Sequence, residues 1–506
     1  MNIFNNYFGN ETTKEIELLQ VLYKNPRFMN IGELSQSLKM DRRSIYKYFS
    51  LLQNKPYIQE NKNKDILITK KSYGYRFAGD KKDYKILYQQ IIQSNPFFEL
   101  LESLLVNNEF NIIKFSYDNS ISESNIRRRL YELEPLFEDL GFSVKKTSGN
   151  AHLLGDESKI RYFMVSFFWR IYHGMHWPFQ NVPKDKCEKV VRTIFEQSDL
   201  ESNDIRIELT CYILAVNIIR FRKGFRIEKR KIESVMSTQY VDSKLLSIIL
   251  DTENNFVSTL ISELSYNYLL NSTEIKFLIL WVYSDPRFYL ANRDIKEYLN
   301  NYSDVERKLE RFSQFINEIS IKKEIFNFDN LEFKKKLIFL STIFSGVISV
   351  ELFGKNSRTL TGYNIEEYIL KNFPKLLSRS NLVLENSEVY PNDIDKRNGL
   401  ALQLALISTL LESPAEFTKK IHIKIDTDLP PIIEFGIIER IQNTFRSYYN
   451  IDISSNIAYK DADFCLSTNS LSIDSNQSLD ILLINAQVTL SDLLAINKKI
   501  SSLLSE

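Results

Sequence analysis

Residues 31–53 read IGELSQSLKMDRRSIYKYFSLLQ and hold two short amphipathic segments. In the first, Ile31, Leu34 and Leu38 recur at three- and four-residue spacing, which places them on one face of a helix. Asp41 is a good N-cap for the second segment, because its carboxylate can accept a hydrogen bond from an amide that has no partner within the helix. The stretch therefore predicts two short helices joined by a turn.

The second of these helices separates an apolar face from a basic face. Its predicted buried side consists of Ile45, Phe49 and Leu52 at helical spacing. The predicted DNA contacts of this helix are Arg42, Arg43, Ser44, Tyr46 and Lys47. This arrangement is typical of a helix-turn-helix, whose second helix enters the major groove of DNA. Lys39 stands at the turn position that most often holds glycine, where a left-handed backbone costs on the order of 1 kcal/mol.

A predicted wing follows the two helices. Residues 65–80, DILITKKSYGYRFAGD, alternate and turn like a β-hairpin, with Lys70 and Lys71 near the tip as further predicted DNA contacts. Residues 1–80 hold 13 Lys and Arg against 8 Asp and Glu, whereas the whole chain holds 65 against 64. Phosphate attraction needs only such a local excess. We therefore predict a winged helix-turn-helix DNA-binding domain over residues 1–80; the alternative is a structural helical hairpin with a solvated charged face.

The same pattern occurs a second time in the chain. Residues 115–130, FSYDNSISESNIRRRL, overlay the first helix-turn-helix at a constant offset of 81, with Ser122 at the N-cap position. The stretch FSVKKTSGNAHLLGD, which ends at Asp156, repeats the wing. The predicted DNA contacts of this copy are Arg127, Arg128, Lys145 and Lys146. Residues 81–160 hold 10 basic against 12 acidic side chains, so a purely architectural role for this second winged domain stays open.

The rest of the chain divides into a helical middle and a mixed tail. Residues 161–415 carry apolar residues at helical spacing and predict two helical bundles, 161–288 and 289–415. Residues 418–506 alternate short strands with helices, which predicts a small, mainly parallel sheet covered by helices. The loop DTDLPP after its first strand has no glycine, which argues against phosphate binding there. The fold class is thus multidomain and mainly α.

Several functional classes are disfavoured by what the sequence lacks. The three cysteines, Cys187, Cys211 and Cys465, have no paired spacing, which argues against a disulfide framework or a zinc site. The N-terminal stretch MNIFNNYFGN lacks a basic start and a long apolar run, so we expect that it is not a signal peptide. The longest unbroken apolar run, Phe277 to Tyr283, is too short to cross a bilayer. No HExxH, GxSxG, Walker-type or CxxC pattern is present. We expect a cytoplasmic protein that is not an enzyme and has no cofactor, metal or membrane partner.

The order of these domains resembles the Mga/AtxA-type virulence regulators of Gram-positive bacteria. The resemblance covers essentially the whole chain and is most specific in residues 156–179, DESKIRYFMVSFFWRIYHGMHWPF. It implies bundles similar to PTS regulation domains (PRDs) and a tail similar to the EIIB phosphotransfer domain. It also implies a transcriptional activator of virulence or surface-protein genes that binds double-stranded DNA as a homodimer or higher homo-oligomer and transiently contacts a PTS phosphocarrier protein. An RNA-binding antiterminator with PRD-like domains is the alternative.

The chain departs from the PTS-controlled regulators in its histidines. Its four histidines are His152, His173, His176 and His422, so residues 177–421 contain none. Since the phosphocarrier donates to an imidazole, we predict that phosphate transfer to histidine does not directly control the bundles. Glu208 stands near the place where a bundle histidine is expected. We interpret the pair His173 and His176 as packing or capping residues and not as metal ligands.

Overall fold

The computed structural model describes residues 7–147, 149–197, 200, 203–251, 255–300, 312, 314–315, 318, 332–411, 419–469 and 479–505. The chain divides into two compact units. The first unit comprises Met1–Glu233, Leu250–Ile279 and Leu360–Gly362, and the second comprises Ser234–Ile249, Leu280–Thr359 and Tyr363–Glu506. The five domain boundaries predicted above are not tested by this division and stay predictions.

The first winged domain contains the predicted pair of helices, a helix in front of them and a hairpin behind. Its elements are α1 (Asn10–Lys24), α2 (Ile31–Leu38), α3 (Arg42–Gln53), α4 (Pro56–Glu60), β1 (Leu67–Lys70) and β2 (Gly74–Phe77). Strands β1 and β2 pair antiparallel, and a bridge from Met29 to Tyr75 extends this small sheet. Ile45, Phe49 and Leu52 are buried, as their spacing predicted.

The turn between α2 and α3 has the left-handed backbone that costs free energy in a residue other than glycine. Lys39 has φ 50° and ψ 41°, the left-handed region that glycine adopts most easily. The helices on both sides of this turn are capped by side chains. Asn30 accepts a hydrogen bond from the amide of Glu33, and Asp41 accepts one from the amide of Ser44.

The second winged domain repeats the helix pair and the hairpin of the first, with one longer helix in place of α3 and α4. Its elements are α5 (Lys81–Gln93), α6 (Pro96–Asn107), β3 (Glu109–Asn111), α7 (Ile112–Asn119), α8 (Glu123–Glu138), β4 (Phe142–Lys146) and β5 (Asn150–Gly155). The offset of 81 places Ser120, with φ 53°, on Lys39 and Ser122 on Asp41 as the N-cap. In the wing the offset becomes 76, so Phe110 pairs with Ala151 as Met29 pairs with Tyr75. The internal repeat is confirmed in the backbone.

Among the described residues of the middle region, the regular secondary structure is helical, apart from one isolated bridge between Arg358 and Asn364. The helices are α9 (Glu157–Tyr172), α10 (Lys184–Gln197), α11 (Asp204–Arg222), α12 (Lys229–Ser237), α13 (Ser243–Ile249), α14 (Asn255–Tyr268), α15 (Ser272–Val282), α16 (Pro286–Ala291), α17 (Arg293–Asn300), α18 (Phe333–Phe353), α19 (Ile365–Asn372), α20 (Pro374–Asn386) and α21 (Ile394–Leu411). The predicted helical character of this region is confirmed.

Two buried arginines join the second winged domain to the helices that follow it. Glu157, the first residue of α9, accepts hydrogen bonds from Arg161 at 2.9 Å and from Arg220 at 2.5 and 2.8 Å. Arg161 also binds Glu274 at 2.5 Å, and Arg220 donates to the carbonyl of Leu105 at 2.9 Å. Both arginine side chains are at most 1% exposed. Buried charges of this kind must be paired, so α9, α11 and α15 are fixed to the base of the second winged domain.

The tail forms the predicted parallel sheet. Its elements are β6 (Ile421–Asp426), α22 (Pro431–Phe445), β7 (Ile451–Ser454), β8 (Phe464–Ser467), β9 (Ile481–Leu483) and α23 (Leu490–Ser505). The strands pair in the order β7-β6-β8-β9, and all of these pairings are parallel. The core between this sheet and its helices contains Ile423, Ile441, Phe464 and Ile496.

One helix within the described part of the chain is long and apolar enough to cross a membrane by length and composition alone. It is the segment Lys334–Phe353 of α18, and 72% of its most apolar window is buried inside the protein. That degree of burial is what the core helix of a soluble domain shows, so this helix is weak support for a membrane span.

Candidate nucleic-acid interface

The N-terminus of α3 is held rigidly by its capping residue. Asp41 accepts hydrogen bonds from the amide of Ser44 at 2.9 Å and from its hydroxyl at 2.7 Å. These bonds, that of the hydroxyl first, hold the pKa of Asp41 below its usual value, so the cap stays ionised near neutral pH. The Ser44 hydroxyl is therefore engaged in the cap. Its predicted role as a DNA contact stays a prediction, and the cap sets the direction in which the next side chains project.

Arg42 and Arg43 form the exposed start of α3. Both side chains are exposed, and among the described residues neither makes an ion pair. Lys47, one turn on, is also exposed, but its ammonium lies 2.5 Å from a carboxylate oxygen of Glu11 in α1. That hydrogen bond raises the pKa of Lys47. The surface thus offers two unpaired guanidinium groups and one tethered ammonium group, an arrangement that suits phosphate and base-edge contacts.

Tyr46 is part of the same surface. Its side chain is 55% exposed, and its ring lies edge-on to that of Tyr75 in the wing, with 6.3 Å between the centroids. The ring of Tyr75 in turn packs on the ring of Phe49, with 4.4 Å between the centroids. The wing therefore supports Tyr46 from behind while its outer edge stays free, as a base or sugar contact requires.

The wing of the first domain carries an aromatic cluster that the sequence argument missed. Lys70 and Lys71 are exposed as predicted, and the Lys70 ammonium lies 5.2 Å from the ring centroid of Phe28. Tyr73, between the two strands, is 66% exposed, and its ring lies 6.0 Å from that of Phe28. An aromatic residue two positions after a pair of lysines at a predicted hairpin tip was the available signal, since such residues pair with cations and stack on nucleotides.

The predicted contacts of the second winged domain are largely paired within the domain. Arg127 lies 3.4 Å from Glu123, and Arg128 donates to Asn125 at 2.7 Å. Lys146 binds Glu134 at 2.9 Å and lies 3.3 Å above the ring of Tyr131. Lys145 is exposed. The neighbouring Arg129 is buried and binds Glu132, so the third arginine of the run is structural.

The two recognition helices therefore present different charge. Helix α3, RRSIYKYFSLLQ, contains three basic residues and no acidic residue. Helix α8, ESNIRRRLYELEPLFE, contains three basic and four acidic residues. Pairing within a helix lowers the attraction of its cations for phosphate. Arg42, Arg43, Tyr46 and Lys47 lie together on one exposed surface of α3. In the second domain, most of the predicted basic contacts lie next to acidic side chains.

The predicted sites outside the winged domains are buried or packed. His173 ends α9 with φ 49°, and burial, helped by the nearby Lys85, lowers its pKa to about 4. The ring of His176 packs against the ring of Tyr172, with 5.2 Å between the centroids. Glu208 binds Lys184 at 2.7 Å. Cys465 lies inside β8, and burial raises its pKa to about 11. His173, Glu208 and Cys465 therefore lack the exposed position of a phosphate acceptor, whereas the side chain of His176 is exposed.

Comparison with known proteins places the second winged domain in a family. Residues 80–168 match the Mga helix-turn-helix domain. The chain resembles the Mga/AtxA-type regulators. That resemblance, named above from residues 156–179, is confirmed, and the matched segment contains the whole of α5 to β5 and most of α9. The match does not include the first winged domain.

Two curated relatives extend the similarity beyond this segment. The chain is 21% identical over 322 residues to a protein named as a trans-acting regulator from Streptococcus pneumoniae, which covers 63% of the chain and 62% of the relative. It is 21% identical over 277 residues to the anthrax toxin expression trans-acting positive regulator of Bacillus anthracis, which covers 53% of both proteins. The chain thus spans less than two thirds of the length of either relative.

Proposed function

We propose that this chain is a DNA-binding transcriptional regulator that activates virulence or surface-protein genes. The observation that carries the proposal is the open basic surface of α3, where Arg42 and Arg43 are exposed and make no ion pair with a described residue. The names of the two relatives, which describe trans-acting regulation, support it. The first winged domain supplies the sequence-specific contact, and the second adds backbone contact or holds the first in place.

The remaining domains serve sensing and assembly in this proposal. The helical middle provides two PRD-like bundles, and the tail provides an EIIB-like domain. The parallel strand order β7-β6-β8-β9 supports the latter, because it is the beginning of the order 2-1-3-4-5 of flavodoxin-like sheets. Contact with a PTS phosphocarrier protein is transient and does not transfer phosphate to a bundle histidine. A change in ligand, partner or protein concentration then shifts the equilibrium between oligomeric states.

Self-association through the tail is supported by its exposed apolar side chains. Ile432 and Phe435 on α22 are 75% and 60% exposed, and Leu490 and Leu494 on α23 are 78% and 70% exposed. Exposed apolar patches on a protein surface mark interaction sites. The variant Ile432→Glu/Phe435→Glu should sediment as a smaller species than the wild type. The control Leu382→Glu, at a 57% exposed position on α20, should not; an unchanged oligomer in the first variant would contradict tail-mediated assembly.

The alternative, an RNA-binding antiterminator, is separated by a direct binding comparison. A pool of duplex DNA and a pool of hairpin RNA of equal length are titrated with the full chain at physiological salt. The proposal predicts that the duplex is retarded and that the hairpin is not. Preferred retardation of the hairpin RNA would replace the proposed function by the alternative.

A further inference from the structure

A second basic surface lies outside both winged domains. Residues 220–231, RFRKGFRIEKRK, hold seven Lys and Arg and a single Glu. This excess of six positive charges in twelve residues is larger than the excess of five in the whole of residues 1–80. The stretch connects α11 to α12 and includes the first turn of α12. A chain of nearly balanced charge has no need of such a cluster for solubility.

The two ends of this stretch are anchored to the second winged domain. Arg220 is buried against Glu157 at 2.5 Å, and Lys231 lies 2.5 Å from Asp156. Burial alone would raise the pKa of Asp156, but Lys231 and Ser158 together hold it below its usual value. Asp156 directly follows β5, the second strand of the wing. The basic stretch is therefore fixed at the base of that wing.

The cations between these anchors point outward. We call Arg222, Lys223, Arg226, Lys229 and Arg230 the basic loop; all five are exposed. Lys229 and Arg230 have side chains that are each 83% exposed, although Lys229 lies 3.3 Å from Glu233 and Arg230 contacts Glu228. Exposed pairs of this kind are weak and exchange readily for a stronger anion. Lys229 and Arg230 also occupy the first turn of α12, where the helix dipole disfavours cations.

The chemistry of the surface favours nucleic acid over protein as its partner. The apolar side chains within the stretch are covered: Ile227 is 5% exposed, and the guanidinium of Arg226 lies 3.8 Å above the ring of Phe221. A protein partner would need an apolar centre to bury, which this surface lacks. Interfaces with DNA are polar and strongly positive and need no such centre.

We propose that the basic loop binds the phosphate backbone of duplex DNA that flanks the site contacted by the winged domains. The proposal rests on the proposed function. The wing strands β4 and β5 separate the wing tip from Asp156 by five to six residues, which corresponds to about 17–20 Å at the usual rise of a strand. DNA that ends at the wing does not reach the basic loop. A duplex that extends past the wing by a further turn does, and it gains phosphate contacts there.

The test compares two matched pairs of substitutions on two duplexes. Lys229→Gln/Arg230→Gln removes two cations of the basic loop, and Lys186→Gln/Lys189→Gln removes two exposed lysines of α10 in the same unit. Each full-length variant is titrated with a short duplex that holds only the bound site and with a long duplex that adds flanking sequence on both sides. Circular dichroism and thermal melting verify that all variants fold.

We expect the loop variant to bind the long duplex about tenfold more weakly than the wild type. The slope of its log binding constant against log salt concentration should be smaller in magnitude by roughly two. Its affinity for the short duplex should not change, and the α10 variant should match the wild type on both. If the wild type binds both duplexes equally and the loop substitutions change neither affinity, the proposal for the basic loop is overturned and the proposed function is not. A wild-type chain that binds neither duplex overturns the proposed function as well. A loop variant that binds DNA normally but fails to activate transcription shows an acidic protein partner and overturns the proposal.

Discussion

The two winged domains share one backbone and differ in what their surfaces can do. Lys39 and Ser120 occupy the same left-handed turn, and Asp41 and Ser122 occupy the same N-cap. Yet the cations of α3 are exposed without an ion pair or bound to one carboxylate, whereas the three arginines of α8 pair with glutamates of the same helix. The lesson is that capping and turn residues determine a helix-turn-helix, while the pairing of its charges determines how strongly it attracts DNA.

The helices that leave the two wings differ as much as the recognition helices. Lys81 begins α5 after the first wing and is exposed. Its equivalent after the second wing, 76 residues on, is Glu157, which binds two buried arginines. The first winged domain is therefore attached through solvated residues at this point. The second is fixed by an ionic cluster that has no counterpart at the matching position of the first.

The largest effect is expected where this attachment is broken. Glu157→Ala leaves Arg161 and Arg220 buried without that carboxylate, which should lower the free energy of unfolding by about 3–5 kcal/mol. The matched change Lys81→Ala removes an exposed side chain and should alter it by less than about 0.5 kcal/mol. The urea midpoint of the first unfolding transition, followed by circular dichroism, measures both. Similar small shifts in the two variants would mean that the cluster does not hold the junction.

The next effect concerns the recognition helix of the first domain. Arg43→Ala/Lys47→Ala removes two exposed cations from α3, each worth about 1–3 kcal/mol of binding if it contacts a base edge. Affinity for duplex DNA should fall by at least tenfold, while the melting temperature stays the same because neither residue is buried. Lys24→Ala/Lys62→Ala, exposed lysines of the same domain, is the control. Unchanged anisotropy titrations at physiological salt would remove α3 from the interface.

A smaller effect is expected from the matching change in the second domain. Arg127→Ala/Arg128→Ala removes guanidinium groups that already bind Glu123 and Asn125. Because the charge of these groups is partly neutralised, this variant should lose less than half of the binding free energy that Arg43→Ala/Lys47→Ala loses. The same titration measures it. A loss equal to or larger than that of Arg43→Ala/Lys47→Ala would reverse the order assigned to the two domains.

The smallest effect tests whether the shared backbone is equally strained in both copies. Lys39→Gly and Ser120→Gly place the residue best suited to a positive φ in each turn. Each should raise the free energy of unfolding by about 0.5 kcal/mol, because relief of the left-handed strain slightly exceeds the added entropy of the unfolded chain. Thermal denaturation of the two single variants and the double variant measures this. A destabilised variant would show that the side chain at that turn makes a compensating contact.

Local features of the fold could be predicted from the sequence, and long-range pairings could not. The turn at Lys39, the cap at Asp41 and the cap of α15, where Asn271 accepts a hydrogen bond from the amide of Glu274, each depend on neighbours within a few residues. The ion pair between Lys47 and Glu11 joins residues 36 positions apart, and that between Arg161 and Glu274 joins residues 113 positions apart. Such pairs depend on how helices pack, which a spacing pattern does not contain.

The candidate interface shows the same division. Exposure of Arg42, Arg43 and Lys47 follows from their position opposite the apolar face, so the sequence was sufficient to find them. The pairing of Lys146 with Glu134 and the support of Tyr73 by Phe28 follow from how the wings fold onto their neighbours. These contacts decide which cations are open. That information came only with the tertiary structure.

The central claim is that the first winged domain reads the DNA sequence and that the second does not. Selection of bound duplexes from a random pool tests it most directly, with the wild type, Arg43→Ala/Lys47→Ala and Arg127→Ala/Arg128→Ala compared under one salt concentration. The account predicts that the wild type and the second-domain variant select the same motif, and that the first-domain variant selects none. Retention of the wild-type motif by the first-domain variant, with its loss in the second-domain variant, would contradict the claim.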